Sequence, residues 1–162
     1  MSGAAREEVD PGFAGAVHGT SIVIDGRGVL IRGPSGAGKS DLALRLIDRG
    51  ASLLSDDYTY VLNQEGAVIG HASPSIAGLI EVRGLGIMTL PFTAEAPLAL
   101  VVRVLTKDEA QPERMPDALA MQRLCGIDLP ILPVRGLEAS APIKIELALR
   151  RITGQSEPGK AR

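Results

Sequence analysis

Gly33-Pro34-Ser35-Gly36-Ala37-Gly38-Lys39-Ser40 constrains this chain more than any other stretch. It satisfies G-x-x-x-x-G-K-[ST] at every fixed position. Its surroundings fit as well. Gly28 to Arg32 before it is a short apolar run that reads as a strand, and Asp41 to Arg49 after it reads as a helix. Gly50 is a natural C-terminal stop for that helix.

Strand, glycine loop and helix are the parts that phosphate binding needs. Gly33, Gly36 and Gly38 let the backbone bend with no Cβ in the way. The loop N–H groups then converge on an anion at a helix N-terminus. Lys39 is placed to reach the β- and γ-phosphates of a nucleotide, and the Ser40 hydroxyl to hold Mg²⁺. The loop therefore reads as a site for a nucleoside triphosphate with Mg²⁺. The plain alternative is a glycine turn that binds nothing.

The rest of the composition narrows the fold and the partners. At 162 residues the chain makes one domain. The expected layout is a lead over 1–15, a domain over 16–153 and a tail over 154–162. Hydrophobic residues are 45 % but aromatic ones only 2 %, with no Trp, so Leu, Ile, Val and Ala must build the core. That suits an α/β fold with buried strands. Net charge is −2 and no Lys/Arg block exceeds two residues, so a nucleic-acid face is not favoured. Cys125 is the single cysteine, which excludes an intrachain disulfide. The first ten residues hold acidic side chains and no apolar core, unlike a signal peptide. No run approaches the ~18 apolar residues of a membrane span. A cytoplasmic address is expected.

Along the chain, Ser21 to Asp25 and the strand that feeds the loop read as a hairpin turned through Gly26-Arg27-Gly28. Ala51 to Ser55 reads as a buried strand ending at Asp56-Asp57. Tyr58 to Leu62 and Ala67 to His71 read as a second hairpin around Gln64-Glu65-Gly66. Ile76 to Val82 is apolar and of open type. Leu98 to Leu105 is the strongest strand. Lys107 to Pro116 reads as a loop that could act as a lid, Asp117 to Leu124 as a short helix, Pro130 to Pro133 as extended, and Pro142 to Ile152 as a C-terminal helix. The fold class expected is α/β, a mixed sheet with hairpins.

Asp56 and Asp57 end an apolar strand, on the edge where a phosphate loop opens. One carboxylate can meet Mg²⁺, directly or through water; the other can accept a proton from an attacking hydroxyl. A solvated turn before Tyr58 is the alternative. His18 is structural or functional on these grounds, and His71 less suggestive. Glu81-Val82-Arg83-Gly84-Leu85-Gly86 joins a carboxylate, a guanidinium and two glycines in six residues. Arg103, Arg114, Arg123 and Arg135 are candidates to steady γ-phosphate charge, unranked.

Together these pieces resemble one family, the bacterial HPr kinase/phosphorylase. Val17-His18-Gly19, Gly33 to Ser40, Arg49-Gly50, Asp56-Asp57 and Ile80 to Gly86 fall in that family's order, and the likeness thins past Leu90. The resemblance implies a P-loop fold of the HPr kinase and phosphoenolpyruvate carboxykinase type. It implies an ATP-dependent serine kinase whose substrate is HPr, a phosphocarrier of a phosphotransferase system. Many members also reverse the reaction by phosphorolysis. Asp57 matches the proton acceptor, Lys39 the phosphate-binding lysine, His18 a catalytic histidine, Ser40 and Glu81 the Mg²⁺ ligands, and Arg123 the later catalytic arginine. The resemblance further implies a homo-oligomer, a ring-like hexamer.

Three departures stand out. The chain lacks the separate N-terminal domain of longer members and resembles the short form of alphaproteobacteria. The stretch between Arg123 and Pro133 is shortened. The family motif tied to dephosphorylation survives only as Pro133-Val134-Arg135-Gly136. The kinase residues are all in place, while the reverse reaction is only partly carried over. Two rival functions share the loop: a nucleotide-gated binding module and a kinase of a small molecule.

Overall fold

The computed structural model describes residues 14–154. The elements run β1 (Gly15–His18), β2 (Thr20–Ile24), β3 (Arg27–Arg32), α1 (Lys39–Asp48), β4 (Ser52–Ser55), β5 (Tyr58–Gln64), β6 (Ala67–His71), a 3-10 turn (Pro74–Ile76), β7 (Leu79–Val82), β8 (Gly86–Thr89), β9 (Glu95–Val104), β10 (Ala120–Leu124), β11 (Ile127–Val134) and α2 (Ala141–Ile152). Nine of these strands form one mixed sheet in the order β1-β5-β6-β9-β3-β2-β4, with β11 and then β10 branching from β9. β7 and β8 pair separately as a two-stranded arm.

β9 organises the sheet. Its start pairs antiparallel with β6, from Glu95 to Pro97. Its later part runs parallel to β3 on one side and to β11 on the other. β4 is antiparallel to β2, and β2 to β3, so β4 points the same way as β3. The C-terminal ends of β3, β4, β9 and β11 therefore open on one edge of the sheet. The glycine loop and the paired aspartates both leave from that edge, as the expected mixed α/β sheet requires.

The hairpins share one turn chemistry. Asp25-Gly26, Glu65-Gly66 and Cys125-Gly126 each join two strands, and both residues of each pair have positive φ, between 49° and 85°. Two-residue loops of this hand match the twist of the flanking strands, and glycine carries positive φ without a Cβ penalty.

Burial follows the alternation of the strands. Val29 and Ile31 of β3, with Leu100, Val102 and Val104 of β9, pack under Leu42 and Leu46 of α1 and Ile145 and Leu149 of α2. Leu30, Leu98 and Val101 face the other way, onto Val17, Val61 and Val68. β3 and β9 are thus buried on both faces, which accounts for their nearly unbroken apolar sequence. Arg49 at the end of α1 donates twice to Glu146 of α2, at 2.9 Å each, tying the two helices together. Among the described residues no helix is long and apolar enough to cross a membrane.

Two expectations change. Asp117 to Leu124 is not a helix: Ala120–Leu124 is strand β10, paired antiparallel with β11. Its Ala, Met, Gln, Arg and Leu are all good helix formers, and strand pairing through the Cys125-Gly126 turn overrides that preference. The open segment Ile76 to Val82 resolves into the end of a 3-10 turn and strand β7. Gly15, placed in the lead by sequence, begins β1; residues 1–13 and 155–162 lie outside the described residues.

Candidate active site

The glycine loop leaves β3 at Gly33 and enters α1 at Lys39. Gly36 and Gly38 have φ of 82° and 98°. A Cβ at Gly36 would meet nothing within 4 Å, so it is conformation rather than crowding that asks for glycine there. The Gly38 carbonyl accepts from Leu42 N at 2.9 Å and starts the helix. Lys39 is 7 % exposed, and its Nζ donates to the Gly33 carbonyl (2.8 Å) and the Pro34 carbonyl (3.1 Å). A buried cation is thereby held against the inside of the loop.

Asp56 is a junction of four elements. Its Oδ1 accepts from Thr20 Oγ1 (3.0 Å) and Ser40 Oγ (2.7 Å), and its Oδ2 from the Glu81 backbone N–H (3.1 Å). It joins the starts of β2 and α1 and strand β7 to the end of β4. Because Ser40 donates its hydroxyl hydrogen to Asp56, its oxygen lone pairs remain available for another partner.

Asp57 sits beside it in an uncommon conformation. Tyr58 N–H donates to the Asp56 carbonyl at 2.7 Å, closing a three-residue turn with Asp57 at its centre and φ of 69°. Turns of this hand are rare and strained in L-residues. The neighbours fix it from both sides. Asp57 N–H donates to Thr20 Oγ1 (3.2 Å), and the Asp57 carbonyl accepts from Gly19 N–H (2.7 Å). The Asp57 side chain is 69 % exposed, and its Oδ1 lies 3.4 Å from His18 Nε2. The two acids therefore do different things: Asp56 is tied into the scaffold, and Asp57 is presented outward.

Lys39, Ser40, Asp57 and Glu81 line one pocket of about 460 Å³, together with Thr20, Ser35, Gly36, Gly38, Arg83 and Leu137. A second cavity of about 290 Å³ lies along the other side of the loop, between Pro34–Ala37, Leu105–Lys107 and Arg135–Leu137. The donor set suits a nucleotide with a hard cation. The loop supplies backbone N–H groups and one buried ammonium. Ser40, Asp56 and Glu81 carry the oxygen atoms that could hold the cation. Among the described residues no three His, Cys, Asp or Glu side chains form a ready-made metal cage. Mg²⁺ does not need one, since it is commonly held by one or two carboxylates, water and substrate phosphates.

The arginines fall out differently from the sequence reading. Arg103 pairs with Glu109 at 2.5 Å. Arg135 donates to the carbonyls of Thr106 and Glu109. Arg123 pairs with Asp128 at 3.0 Å, near the turn end of the β10–β11 hairpin. The loop edge is at the opposite end of β11, at Val134, so Arg123 is not brought to this pocket within the chain. Arg83 is the arginine that lines it. Thr20 is the residue that sequence reading passed over. Its place directly after Val17-His18-Gly19 was the available signal, but its role depends on β2 lying beside the end of β4.

A glycine loop and a presented carboxylate on one pocket define the class, a mixed α/β sheet that brings a glycine-rich loop and an exposed acid together. The HPr Serine kinase C-terminal domain family matches residues 13–157, and the chain belongs to that family. It is 41 % identical over 132 residues to the HPr kinase/phosphorylase of Geobacillus thermodenitrificans, covering 74 % of this chain and 42 % of that protein. With the HPr kinase/phosphorylase of Cupriavidus metallidurans it shares 37 % over 127 residues, 74 % of this chain and 39 % of that one. The matched part is thus less than half the length of these relatives. The solved Hpr(Ser) kinase/phosphatase of Coxiella burnetii superposes with a TM-score of 0.74 at 27 % identity, covering 85 % of this chain and 89 % of that structure.

Proposed function

We propose that this chain transfers the γ-phosphoryl group of ATP to a serine hydroxyl of an HPr-type phosphocarrier. The observation that carries the reading is the shared pocket, in which the exposed Asp57 carboxylate faces the same space as Lys39 and Ser40 of the loop. Family membership and the named relatives support HPr as the acceptor.

The chemistry follows from the positions. The loop N–H groups and Lys39 hold the phosphates, with Lys39 exchanging the carbonyls of Gly33 and Pro34 for phosphate oxygens. Ser40, steadied by Asp56, and Glu81 are the residues that would hold Mg²⁺. When bound, Mg²⁺ neutralises phosphate charge. Asp57 accepts the serine proton as the serine oxygen bonds to the γ-phosphorus. The bond from that phosphorus to the β,γ-bridging oxygen breaks, and ADP leaves with the electron pair. His18, 3.4 Å from Asp57, orients the carboxylate. Arg83 lines the pocket where charge spreads over the transferred group.

A cytoplasmic setting and a hexameric assembly belong to the same proposal. Arg123 then has no step within a single chain. The reverse reaction is read as weak, because Arg135 of the shortened motif is engaged with backbone carbonyls at Thr106 and Glu109.

The test is Asp57→Asn. The isosteric amide keeps the backbone turn and cannot act as a base. Transfer to HPr should fall by roughly 10²–10⁴-fold, the range typical of a lost general base, with ATP affinity unchanged by titration. Near-normal transfer would remove Asp57 from the base role.

A further inference from the structure

Strands β1, β5, β6 and the start of β9 form an antiparallel sheet with one face in the core, where Val17, Thr59, Val61 and Val68 are buried. The other face of such a sheet is ordinarily polar. Here it carries Tyr58, Tyr60, Leu62, Ile69, His71 and Pro97, matched across the strands by register. Glu95, opposite His71, is the one charged side chain on the paired residues of this face. Tyr58 and Tyr60 remain 49 % and 41 % exposed.

The aromatic groups are continuous with the pocket. His18 Nε2 lies 3.4 Å from Asp57 Oδ1, and the His18 ring packs on Tyr58 with centroids 5.2 Å apart. Tyr60 is two residues further along the same strand face, and its ring stacks on His71 at 5.7 Å and 17°. The chain has two histidines and two tyrosines, and all four stand in this one row. In a chain with only 2 % aromatic residues, two of the three exposed ones among the described residues stand on this face, beside the carboxylate proposed as base; the third is Phe92.

We infer that the Tyr58–Tyr60–His71 face is the platform on which the acceptor protein docks, so that its serine reaches Asp57. This rests on the kinase reading above. Asp57 is exposed and its hydroxyl partner must come from outside. A folded acceptor that reaches Asp57 has to lie against what flanks it, and this face flanks it on the His18 side. Exposed apolar area of this kind marks interaction sites, and tyrosine is enriched among residues that dominate binding. The nearly uncharged face calls for an apolar patch next to the acceptor serine. Tyr60 does not line the loop pocket, so it reports docking without disturbing the chemistry.

Steady-state transfer to HPr from ATP tests this with Tyr60→Ala and Tyr60→Phe, at matched melting temperature. Tyr60→Ala should raise KM for HPr about tenfold, with KM for ATP and kcat within about twofold. Tyr60→Phe keeps the ring and should behave nearly as the unsubstituted chain. A short peptide carrying the acceptor serine, too small to cover the face, should be phosphorylated equally by all three. An unchanged KM for HPr in Tyr60→Ala overturns the inference while leaving the kinase standing. Loss of self-association in that variant with KM unchanged also overturns it, and gives the face to a second copy of this chain. If the unsubstituted chain transfers nothing to HPr, the kinase reading falls and the platform with it.

Discussion

Asp57 holds a backbone conformation that its own residue type disfavours, inside a turn closed by Asp56 and Tyr58 and braced by Thr20 and Gly19. Strain of this kind persists where the surroundings over-determine it, and it clusters at functional sites. A stability consequence follows. Asp57→Gly relieves the positive φ, worth ~1–2 kcal/mol for an L-residue, against the ~0.4–1 kcal/mol that glycine's freedom adds to the unfolded chain. Its melting temperature should therefore hold or rise by a few degrees, while transfer is lost. A clear drop in melting temperature, measured by calorimetry, would show that the turn is not strained. At this scale much was legible. Lys39, Ser40, Asp56 and Asp57 announce themselves because loop, helix start and strand end are local features. Thr20 and Arg83 did not rank, because each reaches the pocket only through pairing of distant segments. Asp56 and Asp57 could be read as two roles, but the division of labour needed the hydrogen bonds of Thr20, Ser40 and Glu81.

Among the elements, the hairpins were readable from their glycines. The observed Glu65-Gly66 turn lies within the expected Gln64-Glu65-Gly66, while the first turn falls at Asp25-Gly26, one residue before the expected Gly26-Arg27-Gly28. Cys125-Gly126 uses the same backbone, and its cysteine disguised it. That misreading turned β10 into a helix, since five good helix formers precede it. Cys125 itself is fully buried, with its carbonyl accepting from Asn63 Nδ2 at 2.9 Å, which fastens the hairpin to β5. Burial pushes the Cys125 thiol above its ordinary pKa. A raised pKa means less thiolate at any given pH, and thiolate is the nucleophile. At pH 8 the native chain should therefore react with iodoacetamide far more slowly than the same chain in denaturant. Equal rates in the two states would mean that the β10–β11 hairpin opens readily. β8 was not legible as a strand. Its four residues are all exposed, so no burial pattern marks Gly86–Thr89, and only pairing with β7 defines it.

For the whole molecule, the controlling fact is that β3, β4, β9 and β11 all end on one edge. That convergence places the loop, the aspartates and the second cavity beside one another, although they are far apart in sequence. The α/β class and the mixed sheet could be foreseen from buried aliphatic runs and turn signals. The branching of the sheet at β9 could not, because it depends on which partner each half of one long strand finds. The aromatic face also belongs to this scale, since His18, Tyr58, Tyr60 and His71 come from three strands. Phosphoryl transfer from ATP to a serine of HPr is the reaction proposed for this edge. The direct measurement uses γ-labelled ATP, Mg²⁺ and purified HPr, beside HPr whose regulatory serine is replaced by alanine. The account predicts label on the first protein and none on the second. ATP bound tightly with neither protein labelled would contradict it.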